Sequence, residues 1–411
     1  MVSKGTIFCP KDWNTRRIRA FCSSPREVAL RVNIICPLRT HRATITETGF
    51  HLTSQWNCPM RRYACPNCSN EVHFRNSECV NCHSRLGYVP AWDQMFFAKP
   101  DDTQWHDGAT VYKACANRQV IYCNWLVEDG QEDEHCMSCR HTLVIPDLSA
   151  TENRDHWAAL EESKRRLFYS IQKFRLGVGD IDEAPETALR FEFKADTLSD
   201  DGKTKRVLTG HAHGLITINV AEADDPTREK YRKAMGEPYR TLIGHFRHET
   251  GHYYWDQLVA TGPKLEPYRA VFGDEREDYG EALKRHYEKG APVGWEATHV
   301  SSYACAHSWE DFAETWAHYF HIVDGLETAG WYGLDGHTPD AGINRTPGGW
   351  SDAGPYGAVE FQPLMDAWVP LTVAMNAMNR SIGLKDFYPF VLSDTIFAKL
   401  EFIHGLIHNR S

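Results

Sequence analysis

The residues most able to do chemistry lie in His245-Phe-Arg-His248-Glu249-Thr-Gly251-His252-Tyr-Tyr-Trp, which contains the pattern His-Glu-x-x-His. On a helix, His248 and His252 stand four apart, one turn above the other on the same face. Two neutral imidazole nitrogens so placed can bind one zinc ion at about 2.0–2.1 Å. Glu249 is rotated off their line and is placed to reach a water beside the metal. Such a carboxylate can take the proton of a water that zinc has made more acidic, which is what a hydrolase needs.

Zinc used in catalysis keeps three protein ligands. A third histidine in the extended pattern His-Glu-x-x-His-x-x-Gly-x-x-His is missing, because Trp255 and Leu258 occupy the Gly and His positions. The third ligand is therefore expected farther along, in Trp309-Glu310-Asp311-Phe312-Ala313-Glu314-Thr315-Trp316-Ala317-His318-Tyr319. Apolar residues recur there at helical spacing, and Glu314 is taken as the ligand, with Asp278 as runner-up. His318, on the same face as Glu314, could orient a ligand. Tyr303, His307 and His318 are the candidates for stabilising the oxyanion of the reaction. Asp256 is a candidate partner for a ligand imidazole, while His211 and His213 read as loop or turn histidines.

Those helices need a scaffold. Glu237-Pro238 is expected to open the first, since proline suits a first turn. Its apolar positions Tyr239, Leu242, Ile243, Phe246, Tyr253, Trp255 and Leu258 predict that it is largely buried. Gly251 inside it costs about 1 kcal/mol relative to alanine, which predicts that another backbone or a substrate comes close there. Residues 153–174 predict an amphipathic helix. Leu189–Lys194 and Gly214–Val220 predict strands, paired with the help of a Gly-Lys turn at 202–203. A sheet edge before the active helix could hold an extended peptide by backbone hydrogen bonds. Beyond Ala329 a long Gly- and Pro-rich loop is expected, and residues 360–408 return to helical spacing.

Thirteen cysteines are present. Cys65-Pro-Asn-Cys68 and Cys79-Val-Asn-Cys82 are two knuckles joined by a short hairpin, the pattern of a closed four-cysteine structural zinc site. Cys115, Cys123, Cys136 and Cys139 predict a second, with His135 or His141 as substitutes for one sulfur. This clustering favours metal in a reducing compartment over disulfides. A ribbon of this kind can bind nucleic acid, but the first has only a modest basic surface in Arg61, Arg62, Arg75 and Arg85.

The chain has 411 residues and a formal net charge of −10, so no global attraction to nucleic acid or anionic membrane follows. No apolar run approaches a membrane span and no signal-peptide core stands at the start, so a cytoplasmic protein is expected. Residues 1–59 carry nine Lys or Arg against three acids. They read either as a transit-like or nucleic-acid-binding arm or, preferred here, as an extension without its own fold that a start codon placed too far upstream would produce. The expected layout is this extension at 1–59, a zinc-ribbon region with two four-cysteine sites at 60–145, a zincin-like domain at 146–345, and a helical scaffold packed on it at 346–411. The fold class is α+β, with zinc-ribbon modules before a mainly helical domain that holds a small β-sheet.

The runs Thr209–Asn219, Tyr239–Asp256 and Trp309–Tyr319 resemble the bacterial family of zinc-binding metallopeptidases with an N-terminal zinc ribbon. The resemblance covers residue 60 to the C-terminus. It implies a gluzincin-like fold with His248, His252 and Glu314 as ligands and Glu249 as base. The expected function is zinc-dependent hydrolysis of peptide bonds in a protein or peptide substrate, with one catalytic and two structural zinc ions. The rival is a non-catalytic, zinc-stabilised protein that binds protein or nucleic acid through its ribbons.

Overall fold

The computed structural model describes residues 33–36, 39–42, 63–198, 204–224, 227–228, 241–334 and 354–408. Residues 1–57 separate from 58–411 as a compact unit. In the first unit, Asn33–Cys36 pairs antiparallel with Arg39–Arg42. Most of the expected extension lies outside the described residues. Among the described residues, no helix is long and apolar enough to cross a membrane.

In the second unit, short antiparallel pairs over 63–128 build the ribbon region, and a helical domain follows. The domain's sheet has four strands: β1 (Thr142–Val144), β2 (Arg190–Lys194), β3 (Gly210–Ala212) and β4 (Leu215–Asn219). Their order is β1-β2-β4-β3, with β2 parallel to both β1 and β4. The two predicted strands are therefore neighbours but not a hairpin. Period-two alternation reports which residues share a face and says nothing of strand direction. β3 pairs antiparallel with β4 at the edge of the sheet, and it carries His211, which was expected in a loop or turn.

Phe191 and Phe193 of β2 are fully buried against two helices. One is α1 (Thr151–Lys173), whose Phe168 lies 6.1 Å from Phe191. The other is α2 (Leu242–Leu258), whose Phe246 lies 5.7 Å from it. α2 begins at Leu242 because the Thr241 side chain caps it, accepting from Gly244 N–H at 3.0 Å. The proposed start at Pro238 lies outside the described residues, as do 202–203 and most of the expected loop at 335–353.

Two short helices, α3 (Leu265–Phe272) and α4 (Tyr279–Lys289), lead to α5 (Ser308–Tyr332). α5 runs antiparallel to α2: Arg247 meets His321 and Asp324, while His252 meets Trp309. Behind it pack α6 (Gln362–Ser381) and α7 (Asp394–His408). Lys399 of α7 bonds Asp311 at 2.6 Å in a buried pair. Such a pair fixes which face of α5 looks outward more surely than it stabilises the fold.

A buried polar chain joins the ribbon region to these helices. Asp93 accepts from Tyr88 at 3.0 Å and from Lys173 of α1 at 3.2 Å. Tyr169 of α1 donates to Glu327 of α5 at 2.9 Å, Ser170 donates to Asp324, and Arg247 of α2 pairs with the same Asp324. Each charge in this chain has a counter-charge, which burial requires.

Candidate metal centre

The close approach that Gly251 predicts is present. A Cβ on Gly251 would stand 2.8 Å from Ala313 Cα and 3.2 Å from the Ala313 carbonyl oxygen, so α2 and α5 touch backbone to backbone. That contact brings His248 and His252 against the first turns of α5. Both histidines are buried.

Glu310 faces both of them, whereas Glu314 reaches one. Its Oε2 lies 3.0 Å from His248 Nε2 and 3.5 Å from His252 Nε2. Glu314 lies one turn farther along, and its Oε1 bonds the other nitrogen of His248, Nδ1, at 2.6 Å. The two glutamates share a face of α5, four residues apart, so periodicity could not rank them. The Gly251–Ala313 contact decides the offset by placing the first turns of α5 opposite the histidines. Asp278 is also accounted for otherwise: it caps α4 by accepting from Glu281 N–H at 2.8 Å. The neighbouring Tyr279 donates to Glu310 Oε1 at 2.6 Å and so aims the carboxylate.

Ligand atoms of His248, His252 and Glu310 lie within 4.8 Å of one another. Glu310 Oε2 is buried, yet makes no hydrogen bond of good geometry with either histidine beside it. Three donor atoms that converge without bonding each other fit a shared cation, and two imidazoles with one carboxylate form a donor set that suits zinc. The electrostatics agree. Burial alone would pull the His248 imidazolium down, but the Glu310 and Glu314 carboxylates outweigh it and favour positive charge there. Burial likewise raises Glu249, an effect that His248 and His252 partly offset.

The remaining candidates separate by position. Tyr303 lines a cavity with Glu249, its ring centroid 5.9 Å from that of His248. Burial, with Glu310 nearby, keeps its phenol protonated. His318 also lines the cavity, and its Nδ1 is tied to the Tyr388 hydroxyl at 3.0 Å. His307 is committed elsewhere. Its Nδ1 caps α5 by accepting from Trp309 N–H at 3.1 Å, and its Nε2 bonds the Glu277 carbonyl at 3.1 Å, so it has no free donor for an oxyanion. His252 Nδ1 makes no hydrogen bond, so Asp256 does not serve it as a partner. Sequence reasoning missed Glu310, Tyr279 and His211, whose ring stacks 6.2 Å from that of His252. The His-x-His pair of His211 and His213 was the available signal for His211.

The cysteines form two further clusters, Cys65, Cys68, Cys79 and Cys82, then Cys115, Cys123, Cys136 and Cys139. The second is wholly buried, and Arg165 of α1 is buried beside it, where the sulfurs favour its charge against the cost of burial. Neither histidine substitutes for a sulfur: His141 bonds the Leu189 carbonyl at 2.6 Å, and His135 pairs with Asp133. Cys136→Ser should cost one equivalent of bound zinc and lower the melting temperature by about 5 °C or more, read by mass spectrometry and calorimetry.

A helix bearing two histidines and a glutamate, a second helix supplying another carboxylate, and an antiparallel edge strand beside them define a metallopeptidase-like class. Family comparison agrees. Residues 153–406 match the family described as "Putative zinc-binding metallo-peptidase", and residues 62–150 match a zinc-ribbon domain. The chain is also 39% identical over 350 residues to uncharacterized proteins of Mycobacterium bovis and Mycobacterium tuberculosis, covering 85% of this chain and 95% of theirs. No solved structure matches. The chain belongs to this zinc-binding metallopeptidase family and carries its N-terminal ribbon.

Proposed function

We propose that the protein is a zinc-dependent peptidase in which His248, His252 and Glu310 hold the metal and Glu249 is the general base. The observation that carries this reading is the convergence of His248 Nε2, His252 Nε2 and the buried, unbonded Glu310 Oε2 beside Glu249. When bound, zinc supplies Lewis acidity, polarising a peptide carbonyl and making a water easier to deprotonate. Glu249 takes that proton and returns it to the leaving amine. Its buried setting raises its affinity for the proton, which suits a group that must both accept and donate near neutral pH. Tyr303, kept protonated, would donate to the oxyanion. Glu314 accepts from His248 Nδ1–H, leaving Nε2 as the metal-facing nitrogen. Tyr279 holds Glu310. The edge strand β3 would take an extended peptide by backbone hydrogen bonds.

A rival reading, a protein that only binds through its ribbons, has no use for a buried carboxylate beside the ligands. The test is Glu249→Gln with an unrelated unfolded protein as substrate. The variant should keep its full zinc content and lose about 10²–10⁴-fold in turnover. Unchanged turnover would remove Glu249 from the reaction. Full zinc content without cleavage in the wild type would favour the binding protein.

A further inference from the structure

The two sides of the histidine pair differ. On the His252 side, Trp309 lies 3.8 Å from the imidazole and His211 stacks at 6.2 Å, so aromatic rings close the site. On the His248 side, Glu249 opens into a cavity of about 360 Å³ between α2 and α5. We propose that this cavity receives a basic side chain, arginine or lysine, from the residue that follows the cleaved bond. The proposal rests on the peptidase reading above and names its substrate class.

The walls of the cavity combine ring faces with carboxylates. Tyr303, His318 and Phe390 supply the rings, with Phe390 edge-on to His318 at 4.4 Å. Burial holds His318 down at about 4, so it faces the cavity as a neutral ring. Glu222, Glu249 and Glu314 supply the carboxylates; of the histidines that also line the cavity, His245 is taken up by Glu222 and His248 by Glu314, while burial holds His321 neutral. Glu314 Oε1 accepts a ring N–H of His248 at 2.6 Å. Glu222 is 5% exposed, accepts from Thr209 at 2.5 Å and pairs with His245, one turn before Glu249 on α2. Arg206 also lines the cavity, but its side chain is exposed.

A guanidinium can stack on rings and bond a carboxylate in the same pocket, and an ammonium gains the same attractions less directionally. An acidic side chain would face like charge there, which disfavours it. An apolar side chain would strip water from Glu222 and Glu314 and return nothing to either charge.

The position in the substrate follows from the edge strand. Thr209 lines the cavity and immediately precedes β3. A peptide added antiparallel to β3, the pairing β3 already makes with β4, runs its C-terminal side past Thr209. The side chain beyond the cleaved bond therefore falls at the cavity.

The zinc-loaded full chain would be given a peptide mixture and the new N-termini read by mass spectrometry. Arginine and lysine should be enriched at least tenfold there; enrichment of apolar or acidic residues overturns the proposal. On two peptides differing only by Arg or Leu at that position, Glu222→Gln should cut kcat/KM at least tenfold more for the Arg peptide. Phe390→Leu should act in the same direction without touching a charge. Equal losses on both peptides in both variants would make these residues structural and also overturn it. If the wild type cleaves no peptide, the peptidase reading fails separately, and calorimetric titration with arginine hydroxamate and leucine hydroxamate decides the cavity. Preference for the arginine compound supports the assignment, and equal binding ends it.

Discussion

Replacing Glu310 by Gln should remove one zinc equivalent and peptide hydrolysis together, while Glu314→Gln should keep the metal and weaken its binding by about 10–100-fold. The two residues differ by one helical turn but do different work. Glu310 Oε2 is the buried oxygen facing both Nε2 atoms, whereas Glu314 reaches only His248 Nδ1. Losing Glu310 takes a donor from the cluster and leaves the Tyr279 hydroxyl facing a neutral amide. Losing Glu314 removes the group that fixes the ring orientation of His248 and leaves all three donors in place. Zinc content by native mass spectrometry, with competition against a chelator for affinity, separates the outcomes. A Glu314 variant that lost its zinc while the Glu310 variant kept it would restore Glu314 as the third donor.

That contrast also marks how far the sequence could be read. His248, Glu249 and His252 are local, since their relation is set within one helix turn. The eight ribbon cysteines are nearly so, because knuckle spacing and a short hairpin settle which sulfurs can meet. The family and the α+β class followed from such local patterns. A choice between Glu310 and Glu314 did not, because the two occupy the same face of α5. Only the crossing of α5 over α2 distinguishes them, and that depends on contacts 62 residues apart in the chain, such as Gly251 with Ala313. His211 was lost for a related reason: its three-residue strand is too short to show a period, and it acquires meaning from the sheet that places it beside His252. His307 carried a plausible catalytic chemistry, but its neighbours in space, the Trp309 amide and the Glu277 carbonyl, use both nitrogens.

Gly251→Ala tests the crossing itself, and two effects of opposite sign compete. In a helix open to solvent, alanine would stabilise by about 1 kcal/mol over glycine. Here the new methyl would stand 2.8 Å from Ala313 Cα, 3.2 Å from the Ala313 carbonyl and 3.2 Å from Trp316 Cβ. Two of those atoms are backbone and none is the far end of a flexible side chain, so relief requires α2 and α5 to move apart. Overpacking of this kind costs about 1–3 kcal/mol, which exceeds the gain in helix propensity. The helices carry the histidines on one side of the contact and Glu310 on the other, so separation should pull the donor set open. The variant is expected to melt at a lower temperature and to bind its catalytic zinc more weakly, with the ribbon metals retained. Calorimetry and chelator competition read both. A more stable protein with unchanged zinc affinity would mean that the helices are not in backbone contact at Gly251, and the offset that selects Glu310 over Glu314 would lose its physical basis.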